Sequence, residues 1–297
     1  MALHRYWRLE FQDPSDGINN WVMSELVMTD IPAGGNLAIT AANCSASGSF
    51  PGGYVASNAI DTLTATAWVS DVPVAGVYWQ YDFGGTPRDI QEITITPDGF
   101  HQTPGFARVL SSDDGIAFTP EWTIIVRFGA WLTGPRTFRK QIGHTGGHRY
   151  WRVYYADNAG HTNVQIVNLI FRATPSGADL TESGDIIAPD WYLTNRPYRA
   201  FDGLPGTQWV SGNPGTGASY LAVDFLGETP VVAEIELTAS SYIPSGPTSG
   251  RVEWSADGST WNTKFSFIPA DWTAHPTQTF TDPGFTTGAA TQAMILA

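Results

Sequence analysis

The chain has one cysteine, Cys44, in 297 residues. That scarcity excludes an intrachain disulfide framework and any multi-cysteine zinc site. Charge is scarce too: 14% of residues are charged, and 15 basic against 28 acidic groups leave a formal net charge of −13. The deficit of positive charge is uniform, with 8 basic and 14 acidic groups over residues 1–143 and 7 and 14 over 144–297. Neither half offers a basic face or tail, so nucleic acid and anionic lipid are disfavoured as partners. No run approaches the ~18 consecutive apolar residues of a spanning helix, so membrane insertion is not expected. The opening MALHRYWRLE becomes charged before an apolar leader can form, so no export signal is expected there. No segment carries a long amphipathic helical pattern.

What is abundant points one way. Hydrophobic residues make up 42% of the chain, enough for a packed core. Glycine (31) and proline (20) are frequent, and aromatics reach 13% with 12 tryptophans, the profile of a turn-rich β protein.

The sequence repeats itself. HRYWR at 4–8 recurs at 148–152, and AIDTLTATAWVS at 59–70 matches AFDGLPGTQWVS at 200–211 in seven of twelve positions. YWQYDF at 78 pairs with YLAVDF at 220, EIT at 92 with EIE at 234, and RVLSSDDG at 108 with RVEWSADG at 251. The offsets agree on a tandem duplication with a unit of about 143 residues, a usual domain size. The expected domains are residues 1–143 and 144–297, sharing one fold. Within each, short alternating runs separated by Gly, Pro, Asp and Asn clusters predict antiparallel strands. The fold class expected is all-β, two β-sandwiches in tandem.

The matched residues resemble the discoidin superfamily, also called coagulation factor five/eight type C, of galactose-binding-like jelly rolls. NLA at 36–38 is similar to its opening strand, and Ala59, Asp61, Thr66 and Trp68 resemble its A-x-D-x-x-x-x-T-x-W turn. YWQYDFG at 78–84, SSDDG before Phe118, and HRYWRVYY followed by VNLIF (167–171) resemble further elements in order. The phase is unusual, because the chain opens with what resemble the family's last two strands, at 4–28, and ATQAMILA at 290–297 stands where a third RYWR would be. Two frames follow. In a circularly permuted frame, 4–28 closes the sandwich of 36–142 and 148–171 closes that of 178–289. In the conventional frame, 148–171 closes the first. The permuted frame is preferred, because it leaves no orphan strand edge.

The resemblance also implies sites. Many carbohydrate-binding relatives hold a structural calcium with this turn and a nearby Glu. The corresponding residues are Asp61, Thr66 and Glu25 in the first copy, and Asp202 and Thr207 in the second, where Asn168 replaces the Glu. Oxygen ligands from a tight loop suit a hard cation. The same aspartates read equally as caps of Asx-type turns. Relatives bind ligands with loops at one end of the sandwich. The loop residues suited to stacking on a sugar and reading its hydroxyls are Phe50, Tyr54, Asp71, Phe100, His101 and Gln102 in the first copy, and Trp191, Tyr192, Arg196, Tyr198, Asn213 and Tyr242 in the second. The alternative is that these rings pack under their own loops.

Trp68 and Trp209 are expected in the core, with alternate members of Tyr6, Trp7, Tyr150 and Trp151 facing inward. Arg8 and Arg152 are expected to pair with local carboxylates. His144 and His148 flank T-G-G, which breaks a helix, so zinc is not expected there. No nucleophile elbow, H-E-x-x-H, Walker loop or C-x-x-C occurs, and nothing marks a catalytic carboxylate pair. Tandem units of this kind resemble accessory virion proteins of tailed bacteriophages. The expected function is therefore a non-enzymatic tail, fibre or capsid-surface protein. It would be assembled in host cytoplasm with other virion proteins, in multiple copies, to bind host-surface glycan. A purely structural virion docking or decoration protein and a free bacterial carbohydrate-binding accessory module are the alternatives.

Overall fold

The computed structural model describes residues 2–13, 20–97, 106–125, 134–140, 142–157, 163–181, 184–212, 219–240, 246–274 and 276–286. The chain is all-β, built of antiparallel sheets with short 3-10 turns, and divides into two compact units, Met1–Gln141 and Ile142–Ala297.

In the first unit, one sheet is ordered β4 (Cys44–Ala46), β6 (Val77–Asp82), β1 (Tyr6–Asp13), β8 (Phe106–Ser112), β9 (Thr119–Ile125). A second is ordered β10 (Arg136–Arg139), β7 (Glu92–Thr96), β3 (Glu25–Thr29), and β2 (Val22–Met23) pairs with β5 (Trp68–Val69). Alternation dictates what each strand buries. Trp7, Leu9 and Phe11 of β1 point inward beside Trp79 of β6 and Val109 of β8, and meet Leu26, Met28, Ile93 and Ile95 of the second sheet in one core. Tyr6 and Arg8 face the other way, half-buried. Two sheets sharing one core are consistent with a β-sandwich.

The second unit repeats this. Its first sheet runs β13 (Asp185–Ile187), β15 (Ser219–Asp224), β11 (Tyr150–Asp157), β17 (Ser249–Ser255), β18 (Asn262–Phe267). Its second runs β14 (Trp209–Val210), β12 (Gln165–Arg172), β16 (Glu234–Ala239), β19 (Thr277–Thr281). The registers match residue for residue: Trp7 faces Tyr81 and Trp151 faces Val223, while Met23 faces Trp68 and Ile166 faces Trp209.

Pairing decides between the two frames. β1 lies between β6 and β8, and β11 between β15 and β17, so each RYWR strand joins the residues that follow it. Residues 4–28 thus pair within the first unit and 148–171 within the second. Residues 290–297 lie outside the described residues.

Two expectations are corrected. NLA at 36–38 is not a strand. The Asn36 side chain takes the place of a ladder: its Oδ1 accepts from the N–H groups of Met28 and Ala38, and its amide donates to the carbonyls of Leu26 and Ala38. Arg8 pairs with no carboxylate among the described residues. It donates to Gln80 Oε1 and lies between the rings of Tyr78 and Phe118, 3.8 and 3.6 Å from their centroids, because its cross-strand neighbours are Gln80 and Leu110. Burial lowers its pKa. Arg152 does pair with a carboxylate, donating to Glu253 at 2.7 Å.

Candidate ligand-binding loops

Each unit pins its loops with a buried tryptophan. Trp68 and Trp209 are fully buried, and their indole N–H groups donate to the carbonyls of Gly48 (3.1 Å) and Asp190 (3.2 Å). A buried indole donor needs such a partner, so core packing and loop position are coupled. Two residues on, Phe50 N–H donates to Val69 O and Tyr192 N–H to Val210 O, both at 2.8 Å. The loops are thus held against the strand that carries the tryptophan.

On this anchored backbone the rings stand out. Phe50 is 46% exposed and Tyr54 41%, and they meet edge to face with centroids 6.1 Å apart. Gly52 and Gly53, between them, adopt φ of +110° and +98°, a reversal that only glycine makes without strain. The second unit offers Trp191 at 45% and Tyr192 at 49%. The Arg196 guanidinium lies 5.7 Å from the Trp191 ring centroid. Asp71 is exposed and sits against Gly48.

The structure therefore brings Phe50, Tyr54 and Asp71 onto one pair of loops, and Trp191, Tyr192 and Arg196 onto the equivalent pair. Tyr198 departs from expectation. It lies in a 3-10 turn, Pro197–Ala200, and is buried, so its ring is core rather than a ligand platform. Phe100, His101, Gln102, Asn213 and Tyr242 lie outside the described residues. Sequence reasoning missed Asp190, whose Oδ1 accepts from Gly212 N–H at 2.9 Å in the same loop pair.

The Asp-Thr turns show why the two copies differ toward a cation. In the first, Asp61 accepts from Leu63 N–H (2.8 Å) and Thr66 Oγ1 (2.7 Å). Glu25, from β3, reaches the same turn. Burial, then the adjacent Asp61 carboxylate, raises its pKa, and its Oε1 is buried with no hydrogen-bond partner. Two adjacent carboxylates with an orphan oxygen fit a hard cation, which would satisfy that oxygen and relieve the like-charge contact. In the second, Asp202 is fully buried and accepts from Leu204 N–H and, through both oxygens, from Thr207 Oγ1. Asn168 supplies no charge there, so this turn reads as a satisfied Asx cap and does not fit a divalent ion. No group of three or more His, Cys, Asp or Glu side chains suited to a metal occurs among the described residues. Any ion at Glu25 and Asp61 would need backbone oxygens as well.

No protein-family model, curated protein or solved structure matches the chain.

Proposed function

We propose that the protein is a non-catalytic recognition protein whose two units, discoidin-like jelly rolls, bind host cell-surface carbohydrate through the loops that carry Phe50, Tyr54 and Asp71 and those that carry Trp191, Tyr192 and Arg196. The observation that carries this reading is the recurrence of an exposed ring, Phe50 in one unit and Tyr192 in the other, at equivalent positions beside a pinning tryptophan. An exposed ring beside polar groups suits the apolar face and hydroxyl rim of a sugar. Loops this open make shallow, weak sites, and weak sites become useful when many copies act together. The setting that fits is the surface of a tailed-bacteriophage virion, in its tail, fibre or capsid, where other virion proteins hold the copies in place. That setting rests on the family resemblance. The same reading gives the first unit a structural calcium at Glu25 and Asp61.

The test is binding of the purified protein to host cells and to immobilised glycans, with a Tyr54→Ala/Trp191→Ala variant as control. Saccharide binding that this variant loses, with its melting temperature unchanged, is expected. A protein that incorporates stably into virions and binds neither sugar nor cells would be a docking or decoration protein instead.

A further inference from the structure

Gly48 and Asp71 in the first unit hold the positions of Asp190 and Gly212 in the second. The equivalence is structural, since the pinning tryptophan donates to the carbonyl of residue 48 in one copy and of residue 190 in the other. Each loop pair thus sets one aspartate against one glycine, with the order reversed.

In each pair the glycine stands where a Cβ would be crowded. A Cβ on Gly48 would lie 2.3 Å from the Asp71 carboxylate. A Cβ on Gly212 would lie 2.8 Å from Trp191 O and 3.2 Å from the Asp190 Cβ. Neither glycine has a left-handed φ, so backbone conformation does not demand glycine at either place. At Gly48 the Asp71 carboxylate does; at Gly212 the Trp191 carbonyl does, with the Asp190 Cβ next to it. Two copies that have diverged at both positions have kept one carboxylate between the loops, supplied from opposite strands.

A purely structural role covers one copy only. Asp190 ties the loops together by accepting from Gly212 N–H. Asp71 is exposed and has no hydrogen bond or ion pair among the described residues. What both carboxylates share is a place on the loops that bear the exposed rings.

We infer that Asp71 and Asp190 are equivalent ligand-reading carboxylates, and that both loop pairs select neutral saccharides against acidic ones. This rests on the saccharide reading above and narrows it. An ionised carboxylate only accepts hydrogen bonds, and its two oxygens suit a pair of neighbouring sugar hydroxyls. A carboxylate on the sugar would meet like charge there, on a protein whose formal net charge is already −13.

The experiment compares immobilised neutral hexose oligosaccharides with the same oligosaccharides ending in a uronic acid. Wild type should bind the neutral series about tenfold more tightly, and Asp71→Asn/Asp190→Asn should lose about tenfold in neutral binding. On an Asp190→Asn background, Asp71→Gly should abolish the remaining binding and Gly48→Asp/Asp71→Gly should restore it, each at an unchanged melting temperature. Equal binding of the acidic series, or full neutral binding by Asp71→Asn/Asp190→Asn, overturns this inference. If that binding is still lost in Tyr54→Ala/Trp191→Ala, the saccharide reading survives alone. Absence of any saccharide binding by folded wild type overturns both.

Discussion

Arg8 and Arg152 hold the same register position in their sheets, yet their neighbours differ: Gln80 and Leu110 for the first, Ala222 and Glu253 for the second. Both guanidiniums lie over aromatic rings, Tyr78 and Phe118 in one unit, Tyr154, Tyr220 and Trp261 in the other. The aromatic bed has been kept and the polar partner exchanged. The rings are kept because flat faces on the outer side of the sheet bed the guanidinium whatever its polar partner. A polar partner can be replaced by any group that satisfies the donor. The largest expected effect tests this difference. Among the described residues, Arg152→Met leaves Glu253, itself 95% shielded from solvent, with Arg251 as its one remaining ion-pair partner, and should cost about 3 kcal/mol. Arg8→Met leaves behind only neutral Gln80 and should cost about 1 kcal/mol. Chemical denaturation of both variants measures the gap. Equal losses would mean that the rings, not the partners, hold these arginines.

The parts of the fold that repeat were the parts the sequence made legible. The offset matches between RYWR, the Asp-Thr-Trp turns and the S-x-D-G hairpins place residues that lie in equivalent registers. The inward alternation of Trp7 and Trp151 follows from period two alone. What failed was local. PDWYLTNRPY reads as a polar loop, but proline at 197 starts a 3-10 turn that rotates Tyr198 into the core. NLA resembles the family's opening strand, but Asn36 satisfies the neighbouring backbone with its side chain. The Asp71/Asp190 relation was invisible for a different reason. Aligned copy against copy, it appears as two unrelated mismatches, Gly against Asp and Asp against Gly. Only contact in space joins them, although two mismatches that exchange the same residue types are a signal a sequence comparison can look for.

The Asp-Thr turns give a second way to sharpen the contrast. Glu25 makes the first turn doubly acidic and Asn168 leaves the second singly so. Calcium at about tenfold over its Kd should stabilise the wild-type protein by about 1.4 kcal/mol, seen as a rise in melting temperature. Glu25→Gln should abolish the rise, and Asn168→Glu should add a second. A rise that survives Glu25→Gln would place the ion elsewhere. No rise in wild type would leave Glu25 and Asp61 as two carboxylates sharing a turn without a metal.

The smallest expected difference lies in the hairpins. Asp114 Oδ1 accepts from the N–H groups of Ile116 and Ala117, and Asp257 Oδ1 from those of Ser259 and Thr260; each also receives a serine hydroxyl, from Ser112 or Ser255. These donors hold both carboxyls below the ordinary range, and Asp257 lower, because the Ser259 hydroxyl adds a donor where the first unit has Ile116. A carboxyl whose pKa is depressed by folding stabilises the fold above its unfolded value, about 3.9, and loses that contribution as pH falls through its folded value. Asp257→Asn should therefore cost more than Asp114→Asn at neutral pH. Below about pH 4 both costs should shrink, with the Asp257 cost persisting to lower pH. Ser259→Ala should bring the two hairpins level. If instead Asp257→Asn cost little at every pH, the aspartate would be acting through its turn geometry, which Asn shares, and not through its charge.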